Sequence, residues 1–420
     1  MEKLFCDIAI IGGGPAGLMS AITASQNSLA KIILVEKKES LGKKLLLTGG
    51  GRCNFTNAIN DRNEFVAVYG KNSGFLFSSF NQFDNKRTIE FFSSLGINAK
   101  REDDGKIFPA SGNAKTILSA LLVKAEQNGV KILKNSGITK INCDDRKIIS
   151  ILVDKDIEII AKNYILATGG KSYPITGSTG DGYDFAKKIG HVIVNPRPVL
   201  SPIKTREKWP TKLQGLSLEN VEVSLLGSNS KIKAFGGLIF THFGISGPVI
   251  LDISRKIVDI RGNRTLVIDF APGLNEKELD KEIQTILKKN STKAISNSLI
   301  GLFPSKLILA LLNNAEIEKQ KQSSQITNKE KDRLIRNIKR TEVSVLNILG
   351  FEFATATAGG IDLDGIDSKT MRSKLIDNLF FAGEIIDLCG PCGGFNLQMC
   401  WTTGYVAGKN ASIGFSTSNI

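Results

Sequence analysis

Apolar and polar positions along the chain follow two periods, and the period changes where the fold is expected to change. Cys6 to Ile11 is an apolar run of strand length, broken only by Asp7, and it leads into Gly12-Gly13-Gly14-Pro15-Ala16-Gly17. A helical pattern follows from Leu18 to Ser28, and a second apolar run, Lys31 to Val35, ends at Glu36. Further strands are expected from Gly129-Val130-Lys131-Ile132, at Ile138 to Ile141, at Asn163 to Ala167 and at Leu379 to Ala382. Ile149 to Val153 and Glu158 to Ile160 read as a hairpin pair. The last helix opens at Gly393-Gly394 and runs to Asn410.

The middle has a different character. Prolines at 196, 198, 202 and 210 mark an irregular crossing. Val221 to Leu225 and Thr265 to Phe270 alternate, which predicts a β-rich unit, and residues 275–340 turn helical. The expected order is a first domain over 1–194, a β-rich insert over 195–273, a helical insert over 274–341, and the rest of the first domain over 342–420.

The opening unit is strand, glycine turn, helix, strand, acid, which is the dinucleotide-binding fingerprint in its proper context. Gly12 allows the tight turn, Gly14 lets backbone amides approach a pyrophosphate, and Gly17 lets the helix lie close on the sheet. Pro15 and Ala16 lie in the turn ahead of the helix and are read as cofactor-binding, and the helix N-terminus favours phosphate. Glu36 is placed to accept from a ribose diol, with Lys37 beside it. Next, Thr48-Gly49-Gly50-Gly51-Arg52-Cys53-Asn54 can wrap an anionic planar ligand, with Lys43, Lys44 and Arg52 offsetting its charge. Thr168-Gly169-Gly170 is a second place where backbone can approach a cofactor. The glycines at 177, 180 and 182 lack a preceding apolar strand, so a separate nicotinamide domain is not expected.

Composition sets bounds on this picture. The 420 residues, 41% hydrophobic and 23% charged, are ordinary for a globular chain of about two to three domains. Lys plus Arg number 55 against 41 acids, a net charge of +14 that suits nucleic acid, anionic membrane or anionic small molecules. No block of consecutive basic residues appears, which favours a lysine-rich surface instead. Residues 274–340 hold 14 basic and 8 acidic side chains, mixed in sign, and Phe303 is their single aromatic, so no dedicated nucleic-acid site is expected. The amino terminus reads as neither signal peptide nor membrane span, and a cytoplasmic location without membrane contact is expected.

Cys389 and Cys392 form a C-x-x-C that can be a redox dithiol, half a metal site, or two small residues near a ligand. A second pair with zinc-like spacing is missing, and no metal is expected. The two histidines are His191 and His242; His242, in Thr241-His242-Phe243-Gly244, and Tyr173 are further catalytic candidates.

The stretches KKLLLTGGGRCNFTN, LATGGKSYPITGSTGDGYDFAKKIGH, FTHFGISGPVILDIS, ATAGGI and LFFAGEIIDLCGPCGGFNLQ occur in that order. The chain resembles a bacterial family of NAD(P)/FAD-dependent oxidoreductases, labelled aminoacetone-oxidase-like or bile-acid-dehydroxylation-type. The resemblance implies an α/β fold with a Rossmann-like, glutathione-reductase-type FAD-binding domain, interrupted by the β-rich and helical insert. It implies FAD as cofactor, with NADH or NADPH binding transiently. Ile138 is placed near the adenine by proteins of this general fold. Gly383 and Glu384 fall at a strand end near the ribityl and pyrophosphate portion. Gly393, Gly394, Phe395, Asn396 and Leu397 open a helix aimed at the flavin. Cys392 matches the family pattern, and Cys389 stands where relatives often carry an acid. The expected activity is hydride transfer between flavin N5 and a small organic substrate, as an NAD(P)H-linked reductase. The alternatives are thiol–disulfide exchange through Cys389 and Cys392, amine oxidation, and RNA modification. The oligomeric state is left open.

Overall fold

A computed structural model describes residues 2–154, 156–227 and 232–415. The chain divides into two compact units, one formed by the chain up to Pro198 and from Ala354 onward, the other by Val199–Phe353.

The first unit is built on a mostly parallel sheet. Strand β1 (Glu2–Ile11) is followed by helix α1 (Pro15–Asn27) and strand β2 (Ile32–Val35). Helix α2 (Ala114–Gln127) leads to β3 (Lys131–Leu133), and a meander follows as β4 (Ile138–Asp144), β5 (Lys147–Val153) and β6 (Ile157–Leu166). Helix α3 (Asp181–Lys188), strand β7 (Leu379–Phe381) and helix α4 (Phe395–Ala411) complete the set used below. The sheet order is β3-β2-β1-β6-β5-β4, with β7 also pairing β6. β1 pairs in parallel with β2 and β6, and β7 in parallel with β6, while β4, β5 and β6 pair antiparallel.

The sequence explains the burial. Ile8–Ile11 and Ile32–Val35 are buried, as strands covered on both faces require. Asp7, the one charge in the first run, accepts from the Lys31 amide at 2.9 Å and pairs with Lys162 at 2.9 Å. One expectation differs: Glu158–Ile160 and Asn163–Ala167 are not two strands, since 158–160 and 163–166 belong to the single strand β6, paired with β5 at its start and with β1 throughout, and Ala167 follows it.

Helices α1 and α4 cross with almost nothing between them. A Cβ on Gly404 would lie 2.5 Å from the Ala16 carbonyl oxygen, and one on Gly408 would overlap the Ser20 carbonyl. The Ser20 hydroxyl donates across the crossing to the Gly404 carbonyl at 3.0 Å.

The second unit is a closed six-stranded barrel in the order 203–205, 244–246, 233–240, 217–225, 265–269, 341–348. Helices Glu276–Lys289, Ser305–Asn314 and Asn328–Lys339 are inserted between its last two strands. Their apolar faces, including Leu279, Ile283, Leu311 and Leu334, share one core with barrel residues Val221, Leu238 and Leu266. The expected return to the first domain at 342 is thereby corrected. Thr341–Ile348 is the last barrel strand, with Val343 and Val345 buried in that core, and the first unit resumes at Ala354. Among the described residues no helix is long and apolar enough to cross a membrane, and no group of three or more His, Cys, Asp or Glu could hold a metal ion.

Two outcomes follow from this packing. Gly408→Ala should destabilise the protein by about 1–3 kcal/mol in denaturant titrations, since overpacking forces the helices apart. Gly74→Ala, where a Cβ meets nothing within 4 Å, should be neutral or slightly stabilising. The second outcome concerns His191, which is buried, bonded to the Ser373 hydroxyl at 2.9 Å and edge-on to Phe381. Burial pushes its pKa down from 6.5 to about 4. Between these values the unfolded chain takes up a proton that the folded chain refuses. Stability is therefore full above about pH 6.5 and falls as pH drops toward 4, by at most ~3 kcal/mol. His191→Phe should flatten that part of a stability–pH curve.

Candidate cofactor site

A groove of about 1230 Å³, counting its open mouth, lies wholly within the first unit. Its floor is the carboxyl edge of the parallel strands: Ile11 ends β1, Val35 ends β2, and Ala167 follows β6. This is the edge where open α/β sheets bind ligands.

The glycines of the first turn divide by what requires them. Gly12 has φ +108°, and a Cβ there would overlap the Ala167 carbonyl. A Cβ on Gly17 would overlap the Gly12 carbonyl, so both are demanded by the chain's own packing, and Gly17 is not in the groove wall. Gly14 lines the groove, and a Cβ there would meet no protein atom within 4 Å. Pro15 and Ala16 continue the wall into α1, whose first amides face a ligand rather than a preceding turn.

Glu36 is held by the backbone, with one carboxylate oxygen accepting from the Gly13 amide at 2.8 Å and the other from the Lys38 amide at 2.8 Å. Each oxygen retains a lone pair for a ligand hydroxyl. Lys37 and Ile138 lie in the same wall. Elsewhere Thr48, Thr168, Gly169 and Gly383 line the groove, together with Asn396 and Leu397 from the first turn of α4. The Thr168 hydroxyl is buried with no partner in the protein, as a group left for a ligand would be.

Lys44 and Glu384 form an ion pair of 2.6 Å in the wall, with side chains 20% and 12% exposed. The Glu384 carboxylate also accepts from the Thr357 amide at 2.7 Å and the Ser172 hydroxyl at 3.3 Å, and Lys44 donates to Ser172. Glu384 thus fixes Lys44 in place.

Other candidates lie outside the wall. Gly50 and Gly51 continue a left-handed turn with Gly49. Arg52 pairs with Glu102 at 2.7 Å and covers the Phe108 ring at 4.0 Å. Cys53 is buried, its thiol pushed up to about 12, and Asn54 accepts from the Ile107 amide at 3.2 Å. Gly170 abuts Thr357, Gly394 abuts the Thr56 carbonyl, Gly393 lies against Phe395, and Phe395 is buried against Phe65. At Gly170, Gly393 and Gly394 glycine serves close packing within the protein, whereas a Cβ on Gly50 would meet no protein atom within 4 Å.

The cysteines are redistributed in the same way. Cys389 and Cys392 are half-buried thiols outside the wall. The Asn396 amide clasps the loop between them, accepting from the Gly390 amide at 2.9 Å and donating to the Gly390 carbonyl at 3.0 Å. The thiol that lines the groove is Cys400, pushed up to about 12 by burial and by nearby Glu384, so it stays protonated and unreactive at neutral pH. Lys43, expected to offset ligand charge, lines the groove, whereas Cys400 and the segment Thr176–Asp181 line it without being among the expected cofactor-binding residues; the segment's Ser/Thr/Gly run ahead of an acid at a helix start was the available signal. Tyr173 is half-buried at φ +50°, its hydroxyl pKa raised by burial. His242 belongs to the second unit, exposed in the turn between strands 233–240 and 244–246, its ring edge-on to Phe243 at 4.8 Å.

A glycine turn, a backbone-held acid and two helix N-termini around one groove define a flavoprotein oxidoreductase of the Rossmann type. The chain belongs to the HI0933-like protein Rossmann domain family, whose model matches residues 6–410. It is 33% identical over 409 residues to a 3-dehydro-bile acid delta(4,6)-reductase of Clostridium scindens, covering 96% of this chain and 98% of that protein. It is 32% identical over 411 residues to a ribosomal RNA dihydrouridine synthase of Haemophilus influenzae, covering 96% and 98%. In fold it resembles a flavocytochrome c3 fumarate reductase (TM-score 0.54, 17% identity, 97% of this chain and 78% of that one). It also resembles a 3-ketosteroid-delta4-(5alpha)-dehydrogenase of Rhodococcus jostii RHA1 (TM-score 0.54, 13% identity, 98% of each chain).

The groove fits FAD. The empty space at Gly14 and the unpartnered Thr168 hydroxyl are what a bound dinucleotide would fill. Gly14→Ala separates this role from a structural one. Its φ of −81° admits alanine and no protein atom obstructs the methyl group, so the melting temperature of the apoprotein should not change. FAD affinity, read by flavin fluorescence titration, should fall at least tenfold.

Proposed function

We propose that the protein is an NAD(P)H-dependent flavin reductase that saturates a carbon–carbon double bond conjugated with a carbonyl group in a ring substrate. The observation that carries this reading is a resident-cofactor groove in a chain whose full-length relatives include a 3-dehydro-bile acid delta(4,6)-reductase and ribosomal RNA dihydrouridine synthases, each named for such a saturation. A delta(4,6)-reductase acts on a 3-oxo steroid-type ring, and forming dihydrouridine adds hydrogen across the double bond of a uracil ring. The sequence has one strand–glycine–helix fingerprint. Ahead of α3, Pro174–Thr176 is a 3-10 turn and not a strand. Nicotinamide is therefore expected to visit as a substrate and leave.

Bound there, FAD would supply the hydride chemistry. The chain supplies binding and electrostatics. Glu36 and the α1 N-terminus would hold its ribose and pyrophosphate, and Lys44, fixed by Glu384, places one cation in the wall. The first turn of α4, carrying Asn396 and Leu397, favours negative charge nearby. The carbon beside the carbonyl takes its proton from water or a side chain after hydride reaches the far carbon. Thiol–disulfide exchange is disfavoured by the placement of Cys389 and Cys392 outside the wall.

Anaerobic stopped-flow mixing tests the reading. NADH or NADPH should bleach the flavin, and a 3-oxo-Δ4 steroid or a uridine-containing RNA should restore its absorbance, the active one of the two fixing the substrate class. Bleaching by a primary amine, with peroxide formed in air and no response to NAD(P)H, would overturn it.

A further inference from the structure

The groove has a wall that the dinucleotide fingerprint does not account for. Beyond β6 the chain runs through Thr176-Gly177-Ser178-Thr179-Gly180-Asp181, and all six residues line the groove. Glu36, Lys37 and Gly137 line it from the β2 and β4 side. The two sides are joined by Lys37, whose ammonium bonds the Asp181 carboxylate at 2.7 Å and the Thr179 hydroxyl. Thr179 in turn donates to Asp181. The segment's shape is specified by glycine. Gly177 (φ +114°) and Gly180 (φ +89°) are left-handed, and a Cβ on Gly177 would lie 3.3 Å from Lys38 Cγ and 3.6 Å from Lys37 Cε. The backbone therefore lies directly on the two lysines that follow the ribose-facing acid.

This ion pair is poorly suited to holding the fold. Its side chains are 28% and 48% exposed, and exposed pairs contribute only about 0–1 kcal/mol. Partial burial works to raise the Asp181 pKa, yet the bonds from Lys37 and Thr179 bring it below the ordinary carboxylate range. Its partners stand 144 residues apart in sequence, on the two sides of the groove, next to the group that receives the ribose. A ligand there lies within a ring closed by one ionic contact.

We propose that residues 176–181 and Lys37 form a clasp over the adenosine end of the FAD groove, and that the Lys37–Asp181 contact sets how long the cofactor stays bound. The proposal rests on the reading of the groove as the FAD site and adds cofactor-retaining residues to it. Lys37 acts as a bolt rather than a phosphate ligand, because its charge is already committed to Asp181 and Thr179. Opening the contact frees the clasp without disturbing Glu36, whose carboxylate is held by the amides of Gly13 and Lys38.

The test is the rate at which FAD leaves the holoprotein, followed after dilution as flavin retained on rapid desalting. Lys37→Met and Asp181→Asn should each speed release by about fivefold, with apoprotein melting unchanged. The exchanged variant, Lys37→Asp with Asp181→Lys, should recover at least half of the lost residence time. Release from both single variants at the wild-type rate would overturn the clasp, and so would an exchanged variant as fast as the singles. A wild-type protein that takes up no FAD would instead defeat the reading of the groove.

Discussion

The crossing of α1 and α4 is the constraint on which the rest of the first unit depends. One helix opens the chain and the other closes it, with the whole second unit between them in sequence. Their backbones touch at Gly404 and Gly408, and nine consecutive residues of α1, Ala16 to Ala24, are buried. A helix apolar on all sides has to be enclosed, and α4 helps to enclose it. The same contact delivers the first two turns of α4, with Asn396, Leu397 and Cys400, into the groove that the first turn of α1 also lines. Packing and cofactor chemistry are thus served by one interface, and a substitution that separates the helices removes a wall of the site along with stability.

Much of the fold was legible because its signals are local. A strand ending in glycines, a helix and a second strand ending in an acid need only period and turn chemistry to be read. The misplaced boundary at 342 has a physical cause. No strand is expected at Thr341–Ile348, and even a strand pattern would not say which sheet it joins; its partners are 265–269 and 203–205. Sheet membership is a long-range property. The same limit split β6 in two, since Ala161 and Lys162 interrupt the apolar run although the ladder continues past them.

The site was legible to the extent that a glycine's reason for being there was. Gly12, Gly14 and Gly17 carry separate roles in the fingerprint, a tight turn, a ligand approach and a close helix contact, and a Cβ would meet no protein atom at Gly14 while at Gly12 and Gly17 it would overlap the chain's own backbone. Within the runs at 49–51 and 393–394 the reasons differ again: a Cβ would crowd the Asn54 amide at Gly49 and the Thr56 carbonyl at Gly394, yet would meet no protein atom within 4 Å at Gly50. Spacing alone left the C-x-x-C open among three readings, because it carries no direction: eight residues after Cys392, on the second turn of α4, it is Cys400 that lines the groove.

The Lys44–Glu384 pair shows how charge is used here. A chain of net charge +14 could attract an anionic dinucleotide with loose lysines, but a mobile cation in the wall would reorganise each time the ligand's charge changed. Here the cation is neutralised by an acid that also takes a backbone amide and a hydroxyl, so removing both charges from water is offset by four polar contacts. The wall near Glu384 is consequently almost neutral at long range and strongly polar at short range. Attraction of an anionic ligand would then fall to the α1 N-terminus, whose partial charge is fixed by the backbone and cannot swing away. An anion is held by dipoles that do not move, while the one lysine in that pair stays where its acid puts it.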